Sequence, residues 1–495
     1  MSEHNKNILP EDEEVVEVVH ASKKKQRSLF FRLLRLLFRI FFALGLLLVV
    51  LRVLISFPLV QNKLVQFTTK QLAQRLDTRV EIDKIQLDFF DHLDLHGIYI
   101  EDFHGDTLLY TEQLHADIKL FSLIKKKVII EDLVFENTRF NLHTYPTEYY
   151  SEIQQFVKRL SKPYEPGPPK DNPTLYFDCN RIYFDNLRFG FQVAFNGDKL
   201  LVNMKNLILK LGKSDFYNKR LKIESITINE PKAQFAKAIF YPIDSANYPQ
   251  KHPADTINYP IDSTQAKFWH ITIDKFRLNK GSFNFDNVGM KNYFDLPFDP
   301  QHFDFDNINF KINNAKLKNQ KATWEVEEGN AKERRGFEVT NFKANMMMTI
   351  DTMAFFDMAL TTPESVLGDT VIFAYRHISS MGDFNNKVKM DIRSKNSVVA
   401  IQDLLIFAPQ LNRNAFFRQN KDGKILFKGR LFDRVNRLKG DDLYLSIGQN
   451  ATLKGSFKSK KFKPDETLLQ LSVDRLSTNM RNIKLMFPEF KITEQ

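Results

Sequence analysis

Cysteine is almost missing from this sequence. The 495-residue chain holds a single one, Cys179, so no disulfide can form within the chain and no CxxC zinc or redox motif is present. Tryptophan is also scarce, with 2 copies against 46 phenylalanines. Phenylalanine supplies a large apolar surface with no polar atom to satisfy, and the hydrophobic share of 43% excludes a disordered polymer.

Catalytic phrases are lacking as well. The sequence contains no GxSxG, HExxH or GxxxxGK[ST] motif, and its carboxylates alternate along strands rather than pairing in an obvious cleft. We therefore predict that the protein is not an enzyme and needs no cofactor. The alternative, a membrane-anchored enzyme that processes polysaccharide on a β-solenoid, has no residue that points to it.

Acidic residues are missing between His20 and Val60, although the chain as a whole has a net charge of +11. The basic residues of this stretch are Lys23, Lys24, Lys25, Arg27, Arg32, Arg35, Arg39 and Arg52. A nucleic-acid binder would place such charges on a folded domain between aromatic residues. No such region is present, which argues against a nucleic-acid partner.

One long apolar run follows the basic cluster, "IFFALGLLLVVLRVLISFPLV" at 40–60, and about 20 apolar residues span a bilayer as a helix. We predict an uncleaved signal anchor over 29–60, since no small-residue cleavage site follows. The positive-inside rule then keeps a disordered tail, 1–28, in the cytoplasm and sends the rest across. A short amphipathic helix is expected at 61–77. The alternative is a buried amphipathic helix of a soluble protein.

Alternating apolar and polar residues dominate the chain from 78 onward, and a six-residue phrase recurs in it. The phrase is apolar, acidic, any, apolar, any, apolar, as in "IDKIQL" at 82, "IEDLVF" at 130, "FDNLRF" at 184, "IESITI" at 223, "IDKFRL" at 273 and "FDNINF" at 305. Its three-residue step reverses the parity of a strand, so a bend or bulge is needed to keep one face apolar. Each copy predicts strand, kink, strand.

These patterns predict a mainly β fold, a long curved antiparallel sheet over 78–495 with one apolar face and one or two short helices. Two interruptions are expected: a helix and loop at 147–174, and an irregular insertion at 237–267. The apolar face needs a cover, and few helices are available for it. Lipid acyl chains are one candidate, and packing of the sheet on itself is the other.

The polar cluster "HLDLH" at 92–96 contains residue types that bind metal ions. On a strand His92, Asp94 and His96 share one face, but residues i and i+4 lie roughly 13 Å apart along a strand. We therefore predict a solvated strand face and no metal site.

The basic tail, the apolar span, "VEIDKIQLDFFDHLDLHGIYIED" (80–102) and "VIIEDLVFENTRFNLH" (128–143) together resemble the amino-terminal portion of AsmA-like proteins, in particular the TamB-type translocation and assembly module, which is related to bridge-like lipid-transfer proteins. The resemblance implies a taco-shaped β-groove that projects from the inner membrane into the periplasm and takes part in phospholipid movement between the inner and outer membranes. It also implies an outer-membrane partner of the barrel-assembly class, and hence the alternative function of a scaffold that assists the insertion of outer-membrane proteins. TamB-type chains are usually longer and end in a characteristic domain that is not recognisable here.

If the resemblance holds, the groove-lining set would be the apolar alternates of the strand phrases. These are Ile82, Ile85, Leu87, Leu93, Leu95, Ile130, Leu133, Phe135, Ile223, Ile226 and Ile228.

Overall fold

The structure is a computed structural model of the chain. It describes residues 31–47, 49–50, 53, 57–88, 91–119, 122, 127–144, 176–193, 197–214, 219–237, 269–293, 296–447, 451–463 and 466–486. The prediction of a mainly β protein is confirmed, because the described residues form one 21-stranded sheet.

The strands are long, and several exceed 16 residues. They are β1 (Val80–Glu81), β2 (Lys84–Asp88), β3 (His92–Glu101), β4 (Thr107–Ile118), β5 (Lys127–Thr144), β6 (Tyr176–Val193), β7 (Lys199–Leu211), β8 (Arg220–Asn229), β9 (Lys232–Lys237), β10 (His270–Asn287), β11 (His302–Lys318), β12 (Lys321–Glu333), β13 (Glu338–Val339), β14 (Asn341–Met348), β15 (Thr352–Thr361), β16 (Val366–Ala374), β17 (Lys389–Ala400), β18 (Lys424–Asp433), β19 (Lys439–Ile447), β20 (Ala451–Lys463) and β21 (Glu466–Thr478).

Strand order follows the chain, but the sheet is mixed rather than antiparallel throughout. Strand β5 pairs with β6 in parallel, and β10 pairs in parallel with both β8 and β9; the other neighbours are antiparallel. Parallel neighbours need a crossover connection of a dozen or more residues. The two connections concerned, 145–175 and 238–268, lie outside the described residues, as do the predicted insertion at 147–174 and most of that at 237–267.

Helices are short apart from the first two. Residues 31–47 are helical (α1); the others are α2 (Pro58–Leu76), α3 (Phe384–Lys387), α4 (Ile401–Phe407), α5 (Ala415–Gln419) and α6 (Met480–Met486), with 3-10 turns at Ile378–Asp383, Pro409–Arg413 and Val435–Arg437. The sequence predicted one or two short helices, and the connection between β17 and β18 alone holds two, α4 and α5.

The amino-terminal helix α1 has all of its described side chains exposed. Within the described residues, no helix combines the length and the hydropathy needed to span a bilayer. Residues 48, 51–52 and 54–56 of the predicted span 40–60 lie outside that set.

Helix α2 covers one end of the sheet. It begins at a proline, a residue suited to a first helical turn, and ends at Asp77, which takes the left-handed conformation with φ 56°. Its Val65 and Leu72 pack against the buried cluster of Ile82, Ile85 and Ile98. The apolar side chains at the start of the sheet thus form a small two-layer core.

A crease, which we define as a line of left-handed residues, crosses several strands, and in two of them it coincides with the kink that the recurring phrase predicts. In β6, Asn186 within "FDNLRF" has φ 56°, and in β11, Asn307 within "FDNINF" has φ 50°. The crease continues through left-handed residues outside the phrase copies, which are Gly97, Asn137, Lys280 and, between β8 and β9, Glu230. Asparagine tolerates this conformation better than most residues. In β6 and β11 the left-handed asparagine lets the apolar face continue on the same side of the sheet beyond the three-residue step.

Candidate functional site

Two rows of apolar residues cross nine consecutive strand positions in direct register. Row 1 is Ile85, Leu95, Leu114, Phe135, Phe184, Leu207, Ile228, Leu278 and Phe310, on β2, β3, β4, β5, β6, β7, β8, β10 and β11. Row 2 runs beside it through Leu87, Leu93, Ala116, Leu133, Ile182, Leu209, Ile226, Phe276 and Ile312. On each strand the row 1 residue and the row 2 residue stand two positions apart, so both rows lie on one face of the sheet.

Eight of the eleven predicted lining residues belong to these rows. Of the other three, Ile82 lies in the core under α2, Ile130 pairs with Ile118 and Cys179, and Ile223 pairs with Leu211 and Ile273. All three are buried. For Leu87 the structure describes only the backbone register.

The predicted set omitted five of the nine members of each row. Phe184 and Ile182 on β6 and Leu207 and Leu209 on β7 were not in the predicted set. The signal was present, because Phe184 opens one copy of the strand phrase and "MKNLIL" at 204 is a looser copy. What the sequence does not contain is the strand order that brings these residues into line.

Burial changes along row 1. Ile85, beneath α2, is buried, whereas the members from β5 to β11 are only partly buried. In row 1 the ring of Phe135 stacks on that of Phe184, with ring centroids 4.6 Å apart. Outside the rows, Phe285 on β10 stacks on Phe303 on β11 with centroids 5.0 Å apart. Stacked rings are a favourable cross-strand arrangement, and these four remain only partly buried.

A small residue in β12 accommodates the last aromatic ring of row 1. Phe310 is in register with Gly329, and a Cβ added at Gly329 would stand 2.6 Å from Cε1 of Phe310. The ring therefore occupies the space that a side chain at position 329 would fill, and it extends the apolar surface onto a tenth strand.

The opposite face of β3 and β4 carries the "HLDLH" cluster. His92 and His96 do not meet; each has a cross-strand neighbour instead. The register places His92 opposite Asp117, Asp94 opposite His115 and His96 opposite Gln113. The Nε2 atom of His96 lies 3.1 Å from Oε1 of Gln86, so the three residues of the phrase fall into separate pairs.

His115 is the centre of this polar group. Its Nδ1 lies 2.5 Å from Oδ1 of Asp94 and its Nε2 lies 3.0 Å from Oδ1 of Asp117. The hydrogen bond with Asp94 is the main reason why the pKa of His115 is raised above its ordinary value. The sequence prediction considered β3 alone and missed both partners on β4.

The predicted membrane-flanking basic residues fall partly on α1. Arg32, Arg35 and Arg39 lie on it with exposed side chains, while Lys23, Lys24, Lys25 and Arg27 lie outside the described residues. Cys179, the lone thiol, is buried, and burial raises its pKa.

Comparison with known proteins identifies no family: no protein-family model matches the chain, and no curated protein matches it significantly.

Proposed function

We propose that this protein is anchored in the inner membrane by its amino-terminal apolar segment, with the sheet in the periplasm. There the apolar rows bind phospholipid acyl chains and shield them in transport between the inner and outer membranes. The sheet would curve into a groove lined by the two rows, as in the AsmA-like and TamB-type proteins that the sequence resembles.

The observation that carries the proposal is the pair of continuous rows. An ordinary sheet covers its apolar face with a second layer. Here the row members from β5 to β11, including Phe135, Phe184 and Phe310, remain only partly buried. A continuous apolar surface that the protein itself covers only in part supports a binding site here.

Acyl chains fit this surface physically. Each Å² of apolar surface removed from water contributes about 25 cal/mol, and the rows offer that surface without interruption from strand to strand. Lipid headgroups would stay in water along the open side. The described residues supply no nucleotide-binding loop, so on this proposal energy for directional movement comes from elsewhere.

The charge and the apolar residues of the amino-terminal segment support the proposed location in the inner membrane. The basic residues before the apolar run favour a cytoplasmic amino terminus, and the exposed leucines and phenylalanines of α1 need an apolar environment.

Site-specific photocrosslinking in cells tests the proposal. The crosslinker p-benzoylphenylalanine would replace Phe184 on row 1 in one variant and Tyr183 in another. These adjacent aromatic residues point to opposite faces of β6, and Tyr183 accepts a hydrogen bond from Asn206 on the polar face. We expect phospholipid adducts, detected by mass spectrometry, from position 184 and not from 183.

Equal phospholipid labelling at both positions, or none at 184 in a stably expressed protein, would contradict the proposal. A charged residue in the row gives a second control: Phe135→Asp should abolish lipid adducts at the stacked position 184 and leave the membrane insertion of the chain unchanged.

A second function, the assembly scaffold for outer-membrane proteins, is favoured by β21. Among the described strands, β21 pairs with β20 alone, and an open edge can accept a client strand. The test replaces Leu471 with the same crosslinker. Capture of outer-membrane proteins at position 471, together with no lipid capture at position 184, would favour this function over lipid transport.

A further inference from the structure

Four polar side chains form a compact group on the face of β3 and β4 opposite the apolar rows. Oδ1 of Asp117 lies 2.7 Å from Nδ1 of His92 and 3.0 Å from Nε2 of His115. The imidazole rings of the two histidines are 5.6 Å apart between centroids. One ligand atom from each of these three residues lies within 4.8 Å of the others.

These separations are close to those of a metal centre. With zinc bonds of roughly 2.0–2.2 Å to nitrogen and oxygen, tetrahedral ligand atoms stand about 3.3 Å apart. The two gaps to Asp117, 2.7 and 3.0 Å, need to widen by about 0.6 and about 0.3 Å to reach this spacing. The side chains keep 47%, 33% and 28% of their surface exposed for His92, His115 and Asp117, so a cation can reach them.

Asp94 supplies an independent sign of a metal centre. It accepts a hydrogen bond from Nδ1 of His115, which leaves Nε2, the atom nearest Asp117, as the metal-binding nitrogen. A carboxylate that orients a histidine in this way, and raises its basicity, is the usual outer partner of a metal-bound imidazole.

We propose that His92, His115 and Asp117 form a binding site for a divalent transition cation of the zinc class, with Asp94 as the residue that positions His115. Two imidazole nitrogens favour such a cation over magnesium or calcium, which prefer oxygen ligands. The three ligands come from two strands, so the bound cation would fasten β3 to β4. A fourth coordination position faces solvent.

A second group of similar composition, Asp102, Asp106 and His143, is a weaker candidate. It offers a single imidazole. Oδ1 of Asp102 already accepts the backbone N–H groups of His104 and Asp106 in a turn. His143 is therefore a useful control.

The test is titration of the untagged full-length protein, purified in detergent and stripped with a chelator, with Zn²⁺ followed by calorimetry. We expect one saturable site, and a Kd at least about 10-fold higher for His115→Gln and for Asp117→Asn. Asp94→Asn should raise the Kd by about 10-fold at unchanged stoichiometry, the usual size of an outer-partner effect. His96→Gln, on the same face of β3, and His143→Gln should bind as the wild type does.

Absence of saturable Zn²⁺ binding to the wild-type protein would overturn the site. So would binding that survives both His115→Gln and Asp117→Asn, or that is lost in His143→Gln instead. Circular dichroism of each variant establishes that the sheet is intact. Since the substituted side chains are partly exposed and lie opposite the apolar rows, lipid capture at position 184 should be unaffected, which separates this test from that of the lipid-binding proposal.

Discussion

The two ends of the sheet use the same sequence pattern and end in different environments. Ile85 in "KIQLD" lies under α2 with 3% of its surface exposed, whereas Leu471 in "LLQLSV" on β21 keeps 53% exposed. Both alternate with polar neighbours, and both face apolar residues on the adjacent strand, Leu95 and Phe457. The presence of a covering helix, and not the strand pattern, decides whether an apolar row becomes core.

The largest expected effect comes from a charge in the covered end. Ile85→Asp should lower the free energy of unfolding by about 4 kcal/mol or more, because it buries a carboxylate without a partner. Urea unfolding followed by circular dichroism measures the loss. Ile85→Val, expected to cost about 1 kcal/mol, is the control, and a loss below about 2 kcal/mol for the aspartate would mean that α2 does not cover this site.

The crease runs through the strands under α2 and also through the partly buried strands farther along the sheet. The backbone strain of its left-handed residues can be measured in the partly buried strands. Asn186→Val should cost about 2 kcal/mol, because a β-branched residue is disfavoured at φ 56°. Asn186→Gly keeps the conformation and loses only the hydrogen bond to Asn137, which is 2.7 Å long. The difference between the two urea midpoints isolates the backbone strain, and equal midpoints would refute it.

Where no helix covers the sheet, ion pairs on the polar face should contribute a larger share of stability. Asp391 accepts two hydrogen bonds from Arg430, at 2.8 and 2.9 Å, and this contact is the main reason why its pKa falls to about 2. Because the folded-state pKa lies below that of the unfolded chain, the contribution is present above about pH 4 and is lost as the pH falls toward 2. Allowing for the partial exposure of both partners, it amounts to about 1–2 kcal/mol.

The measurement is urea unfolding of wild type and Asp391→Asn at about pH 5 and about pH 3. The gap between them should shrink by about 1 kcal/mol at the lower pH. A gap that stays constant would show that the arginine contact does not stabilise the open part.

The smallest expected effect is Leu471→Asp at the open end. The substitution should change the free energy of unfolding by no more than about 0.5 kcal/mol, as for an exposed site, in contrast to Ile85→Asp. The same urea experiment measures it, and a loss of several kcal/mol would mean that something covers β21 after all.

The sequence was informative about the strands and about their kinks. The phrase step predicts a bend or a bulge. Left-handed asparagines provide the bend in "FDNLRF" and "FDNINF", whereas the copies at 130 and 223 show a register shift at the step instead. The three parallel pairings, β5 with β6 and β10 with β8 and β9, could not be predicted, since they depend on where a long connection returns the chain.

The candidate site, too, could be predicted only in part from the sequence. Alternation identifies Leu133 and Phe135 as residues of one face, but not the partners Ile182 and Phe184, which come from a strand 49 residues later in register. The pairing of His92 with Asp117 was missed for the same reason: a register between strands is a property of the fold, and a single strand does not contain it.

The strand order of the sheet has a consequence for how the molecule folds. Each strand hydrogen-bonds only to its immediate neighbours in the sheet, so cooperativity is transmitted from neighbour to neighbour, as in repeat proteins. Folding can then nucleate at more than one place and propagate outward, and unfolding can begin by fraying at an edge. A sheet of this kind can also gain or lose a terminal hairpin without rebuilding its centre, so its length is free to vary while its cross-section stays the same.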